Sequence, residues 1–110
     1  MTQPDDLLPL KPAWFHILLT LAEAPTHGYA MRKAVEARTE GKLKLWPATL
    51  YGALADLSEA ELIEETEGND SDNLGKIHYR LTRLGADVLE AEADRLEGLV
   101  RATRAARGTT

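Results

Sequence analysis

The chain has 110 residues, a net charge of −5 and no cysteine. That length fits one domain, and the missing cysteine excludes disulfides, thiolate metal sites and cysteine nucleophiles. No apolar run is long enough to cross a bilayer. The acidic start around Asp5 and Asp6 lacks the basic-then-apolar order of a secretion signal, so the expected location is the cytoplasm.

The charge is unevenly placed. Residues 28–46 carry Arg32, Lys33, Arg38, Lys42 and Lys44 against Glu36 and Glu40, a local charge of +3. Residues 47–75 carry eight acids and no Lys or Arg. Residues 98–110 carry Arg101, Arg104 and Arg107 and no acid. Local sign governs contact with a polyanion more than the total does.

Residues 1–11 read as a short arm. Pro12 suits the first turn of a helix, and Trp14, Ile17, Leu18 and Leu21 repeat at helical spacing. Pro25 ends that helix, because the residue before a proline is pushed out of the helical region. Thr26 or His27 can cap a second helix with a narrow stripe of Met31, Ala34 and Val35, stopping at Gly41. Lys42 to Leu45 form a connector. Pro47 opens a third helix with Leu50, Leu54 and Leu57 inward, and Trp46 is expected to anchor the turn into it.

Residues 62–67 and 76–81 read as two strands around a tip rich in turn formers, Gly68 to Gly75. Thr82 is the expected cap of a last helix running to about Arg107. Its pair Leu84 and Val88 is followed by Leu89, Ala93, Leu96 and Val100 at the spacing of a coiled-coil seam. The order predicts a mainly helical α+β protein: a winged helix-turn-helix unit over 1–81 and a dimerisation helix with a basic tail over 82–110.

The chain resembles the PadR family of transcriptional regulators from about residue 10 to residue 100. The likeness rests on Leu18 to Pro25 followed by Thr26-His27-Gly28-Tyr29, on Pro47-Ala48-Thr49-Leu50-Tyr51-Gly52-Ala53-Leu54, and on Leu62-Ile63 with Tyr79-Arg80-Leu81-Thr82 and Gly85. The single long terminal helix is similar to the family's short branch. The resemblance implies a dimeric repressor on a two-fold-symmetric operator, released by a small aromatic or apolar effector. This chain departs from it in one respect: relatives commonly carry Arg or Lys on the outward face of the third helix. Here that face reads Ala48, Gly52, Ala55, Asp56 and Glu59, and none of these can make the Arg–guanine pairing.

The expected partner is double-stranded DNA. Thr49 and Tyr51 are expected to touch base edges or phosphate, with phosphate contacts from Lys42, Lys44, Arg32, Lys33, Lys76 and His78. Asp70 and Asp72 should repel DNA from the wing tip, leaving the strand base as the contact. Leu89, Ala93, Leu96 and Val100 are the expected homodimer seam. Trp14 and Phe15 diverge by about 100° on one helix; one belongs to the core and the other sits under the partner's helix or forms an effector wall. In His27-Gly28-Tyr29 the glycine permits a tight approach and Tyr29 packs at the helix start. No cofactor, metal site or catalytic group is expected, because the three histidines are isolated and no nucleophile–base pair or phosphate loop occurs. Two rival readings are a winged helix that binds protein rather than DNA, motivated by the acidic stretch 47–75, and an enzyme, for which the sequence offers no machinery.

Overall fold

The computed structural model describes residues 3–68 and 76–108. A short 3-10 turn over Pro4–Leu7 is followed by α1 (Pro12–Glu23), β1 (Thr26–His27), α2 (Gly28–Arg38), α3 (Pro47–Glu59), β2 (Ile63–Thr66), β3 (His78–Leu81) and α4 (Arg83–Ala106). The three strands form one antiparallel sheet in the order β1-β3-β2. β2 and β3 pair Ile63 with Leu81 and Thr66 with His78. Strand β1 is only two residues long and lies where the sequence suggested a helix cap. It pairs Thr26 with Tyr79 and His27 with His78, fastening the wing to the start of α2.

The helices stop for local reasons. After α2 the backbone turns left-handed at Glu40 (φ 54°), and the N–H of Gly41 reaches back to the Glu36 carbonyl at 2.8 Å. After α3 the same closure uses Glu61 (φ 64°), with the Leu62 N–H on the Leu57 carbonyl at 3.0 Å. Both are Schellman ends, in which left-handed backbone at the residue past the cap satisfies the last carbonyls. The glutamates stand where glycine is usual.

Ile17 and Leu18 of α1, Met31 and Val35 of α2, Leu50, Leu54 and Leu57 of α3, Leu62, Ile63 and Val88 are all buried in one core. Trp14 and Phe15 both lie half-buried on its margin, so neither is the fully buried member that the sequence suggested. Val88 comes from α4, so the first half of that helix shares the core of residues 1–81.

Thr82 sets the direction of α4. Its hydroxyl accepts from the Gly85 N–H at 3.0 Å and donates to the Glu61 carbonyl at 2.7 Å, while its own N–H donates to Leu62 O at 3.1 Å. One residue thus caps α4 and ties it to the end of α3. Gly85 is pressed against the same turn: a Cβ there would stand 2.0 Å from the Leu62 carbonyl oxygen.

The arm is fixed to the other side of α4. Glu92, 2% exposed, accepts from the Leu10 N–H at 2.8 Å and from Arg95 Nη2 at 3.0 Å. A buried carboxylate without such donors would be costly. The Arg95 hydrogen bond is the main force holding its carboxyl below the ordinary glutamate range; burial opposes this, and the Leu10 N–H and the charge of Arg95 add to it.

Two outcomes follow for stability. Gly85→Ala forces the backbone of α4 off the Leu62 turn and costs about 3 kcal/mol in urea unfolding, whereas Gly52→Ala, with no atom within 4 Å of the new methyl, gains up to about 1 kcal/mol from helix propensity. Glu92 binds its proton more weakly folded than unfolded. Its stabilisation is therefore complete above the unfolded value of about 4.3 and is lost as pH falls through the depressed folded value. Urea unfolding across acid pH should show wild type losing its advantage over Glu92→Gln as pH drops below about 4.3.

Candidate nucleic-acid interface

Helices α2 and α3 are locked together at their near ends. Arg32 Nε donates to the Leu45 carbonyl at 2.7 Å, and Leu45 is buried. Gly28 lets α3 come close, since a Cβ there would stand 3.2 Å from Leu50 Cδ2 and 3.3 Å from the Tyr51 hydroxyl. His27 caps α2 by accepting the Ala30 N–H at its Nδ1, 3.3 Å away. These contacts give α3 a fixed position with its first turn free.

The outward face of α3 is as the periodicity implies. Ala48, Thr49, Tyr51, Gly52, Ala55, Asp56 and Glu59 are all exposed. Lys42 and Lys44 are exposed on the connector leading into it. Lys33 lies 5.6 Å from the Tyr29 ring centroid on the same side of α2. The tract from α2 to the start of α3 is therefore cationic and aromatic, while the far end of α3 is acidic.

Several expected contacts sit differently. His78 is buried, 6% exposed, with its ring edge-on to His27 at 5.1 Å. It fastens β3 to β1 and offers no surface to phosphate; burial inside a third strand pairing was invisible in the sequence. Arg32 spends its Nε on Leu45 and is only partly exposed. Arg38 is tied to Thr20 and Glu23 of α1. Tyr29 does not pack at the helix start: it is 56% exposed. Trp46 does not anchor the turn either. It is 62% exposed, and the buried Leu45 beside it does the anchoring. Lys76 is exposed on the strand side of the wing, whereas Asp70 and Asp72 lie outside the described residues.

At the opposite end, α1 and α4 flank an apolar cleft of about 380 Å³. Phe15, Leu19 and Ala22 form one wall and Leu89 and Ala93 the other. Phe15 therefore faces the cleft, and Trp14 is not among its lining residues; Lys11 stands 5.5 Å over the Trp14 ring instead. Along α4, Leu89 is half-buried, and Ala93, Leu96 and Val100 are exposed. Leu99, absent from the seam drawn on sequence spacing, is 51% exposed. Its place between Leu96 and Thr103 at steps of three and four was the available signal.

Among the described residues no helix is long and apolar enough to cross a membrane, and no three His, Cys, Asp or Glu side chains gather as a metal site. The profile of the family described as "Transcriptional regulator PadR-like family" matches residues 17–91. The chain belongs to the PadR-like family. Its members are transcriptional regulators, not enzymes.

Relatives of this PadR-like chain include the transcriptional regulator YqjI of Escherichia coli, 36% identical over 83 residues, covering 74% of this chain and 37% of that one. An uncharacterized protein in a Streptomyces fradiae transposon is 38% identical over 87 residues, covering 76% of this chain and 24% of that protein. The chain thus spans well under half the length of both. A PadR family transcription regulator from Clostridium difficile superposes with a TM-score of 0.72 at 23% identity, covering 86% of this chain and 96% of that one. A transcriptional regulator from Clostridium thermocellum gives 0.70 at 23%, covering 83% and 88%. These structures share the winged-helix fold, with a small antiparallel sheet among the helices.

Proposed function

We propose that this chain is a cytoplasmic, DNA-binding repressor that works as a homodimer and lets go of its operator when an apolar effector binds. The observation that carries the DNA reading is the free first turn of α3, held at a fixed angle by the Arg32–Leu45 and Gly28–Tyr51 contacts and flanked by Lys42 and Lys44. A recognition helix reads the major groove with its N-terminal residues. Thr49 lies in that turn and Tyr51 just beyond it, each with a hydroxyl able to donate or accept. Lys42, Lys44, Lys33 and Lys76 supply phosphate contacts, which fix register and release counterions. With two-fold symmetry, half-sites lie ~34–36 Å apart or a multiple of that.

Dimerisation is supported by the outer half of α4. A 24-residue helix is ~36 Å long, and Leu96, Leu99 and Val100 stand exposed on it beyond the shared core. An apolar stripe on a helix is stable only when covered. A second copy of the helix covers it, in continuity with Leu89 and Ala93 at the α1–α4 cleft. The effector site in this reading is that cleft, with Phe15 as its aromatic wall, since ligand sites are mostly apolar concavities with few polar groups. Repression follows from occupancy of the operator, and release from a change in the angle between two α4-linked reading units.

The protein-interaction reading retains one specific support. Asp56 and Glu59 stand exposed on the outward face of α3, and this charge opposes approach of DNA to that end of the helix.

A salt-titrated shift assay with duplex selected from a random pool separates these readings. A DNA binder loses affinity along a straight line in log–log form, and Lys44→Ala lowers the slope by about one and weakens all sequences alike. Salt-insensitive or absent binding favours the protein partner. For the dimer, Leu96→Glu with Leu99→Glu should convert a dimeric sedimentation profile to a monomeric one and reduce operator affinity by at least tenfold, while a cooperative urea transition shows that the core still folds; a wild-type protein that sediments as a monomer at high concentration rejects it.

A further inference from the structure

The surface of the helix-turn-helix carries few free cations but an unusual share of the aromatic side chains. Of the chain's six Trp, Tyr and Phe residues, Tyr29, Trp46 and Tyr51 are each more than half exposed, and all three lie on α2, on α3 or just before it. Single exposed apolar residues need no explanation. Three on one small unit, with none of comparable exposure among the aromatics elsewhere in the described residues, do.

Trp46 is the most exposed of them, and its backbone is held on both sides. Leu45 before it is buried and has its carbonyl bound by Arg32. Pro47 after it fixes the extended backbone at φ −62° and ψ 152°. The Trp46 carbonyl accepts the Leu50 N–H at 2.9 Å and so starts α3. The indole thus projects into solvent from a hydrogen-bonded base, at the positive end of the α3 dipole. It borders a cleft of about 230 Å³ shared with Arg32, Glu36, Lys44 and Leu45. The fixed backbone limits where the indole can reach, and the indole has one donor, the ring N–H.

We infer that Trp46 is an uncharged clamp on the DNA backbone, its indole N–H donating to a phosphate oxygen at the groove edge while the ring packs on the adjoining sugar. This rests on the DNA-binding reading above and adds the side chain that compensates for the missing cations on the face of α3. A neutral clamp has a distinctive signature. It adds affinity without displacing a counterion, so its removal lowers binding at every salt concentration and leaves the slope of log affinity against log salt intact. Removing a lysine such as Lys44 also lowers binding but reduces the slope by about one.

The test compares wild type, Trp46→Ala, Trp46→Phe and Lys44→Ala on the duplex that wild type selects from a random pool, across a salt series, with the urea midpoint of each variant as the folding control. The expected result is a loss of about tenfold or more for W46A with an unchanged slope, and a loss of several fold for W46F, which keeps the ring but has no donor. A W46A protein that binds within twofold of wild type overturns the inference. So does a W46A whose salt slope falls as that of Lys44→Ala does, since the tryptophan would then act only by positioning a cation. A W46F indistinguishable from wild type overturns the phosphate bond. If wild type selects no duplex at all, the DNA-binding reading itself fails, which is a different result from a wild type that binds alongside an equally competent W46A.

Discussion

The contact on which the architecture depends is the approach of Gly85 to the carbonyl of Leu62. A methyl group in place of the glycine hydrogen would overlap that oxygen. The approach brings the first turn of α4 directly onto the turn that closes α3, and Thr82 clasps the two with three hydrogen bonds. The end of α3, the beginning of the wing and the start of α4 therefore form one rigid joint. A change in the direction of α4 must move α3, because packed interiors transmit displacement rather than absorb it. A dimer built through α4 would have through this joint a mechanical connection between its interface and its reading helices.

A second joint fixes the same helix from the opposite side. Glu92 sits inside the protein with its charge compensated by Arg95 and the Leu10 N–H. The arm is held against α4 by this one buried carboxylate and by Leu7 and Leu8 packing on the core. Together the two joints leave only the outer half of α4 unsupported, and the exposed Leu96, Leu99 and Val100 lie there. The distribution of burial along one helix thus divides it into a part that belongs to its own chain and a part that lacks a covering surface.

The exposed faces of α2 and α3 carry both cations and acids. The total charge is negative and α3 ends in acids, while Lys33, Lys42 and Lys44 stand exposed on α2 and on the connector into α3. Arg32 and Arg38, which the sequence counted toward that tract, are engaged with Leu45 and with Thr20 and Glu23. Glu23 neutralises Arg38, whereas Arg32 keeps its charge while its Nε is committed to a backbone carbonyl.

The sequence by itself determined the order of helices and strands, the core stripes Ile17, Leu18, Leu50, Leu54 and Leu57, the Thr82 cap and the outward face of α3. Each follows from local rules: a 3.6-residue period, a hydroxyl before a helix, a proline at its first turn. Tertiary structure alone decided the rest. A two-residue strand at Thr26 and His27 has no periodicity to read, and it exists only because β3 arrives beside it. That pairing buries His78, which alternation had assigned to the surface. Trp46 is exposed while its neighbour Leu45 is buried, and Tyr29 is exposed while Leu50 and Tyr51 of α3 close over Gly28. Glu92 is buried because an arm eighty residues away delivers a donor to it. In each case the deciding partner is distant in the chain, and a one-dimensional pattern holds no record of which distant group will arrive.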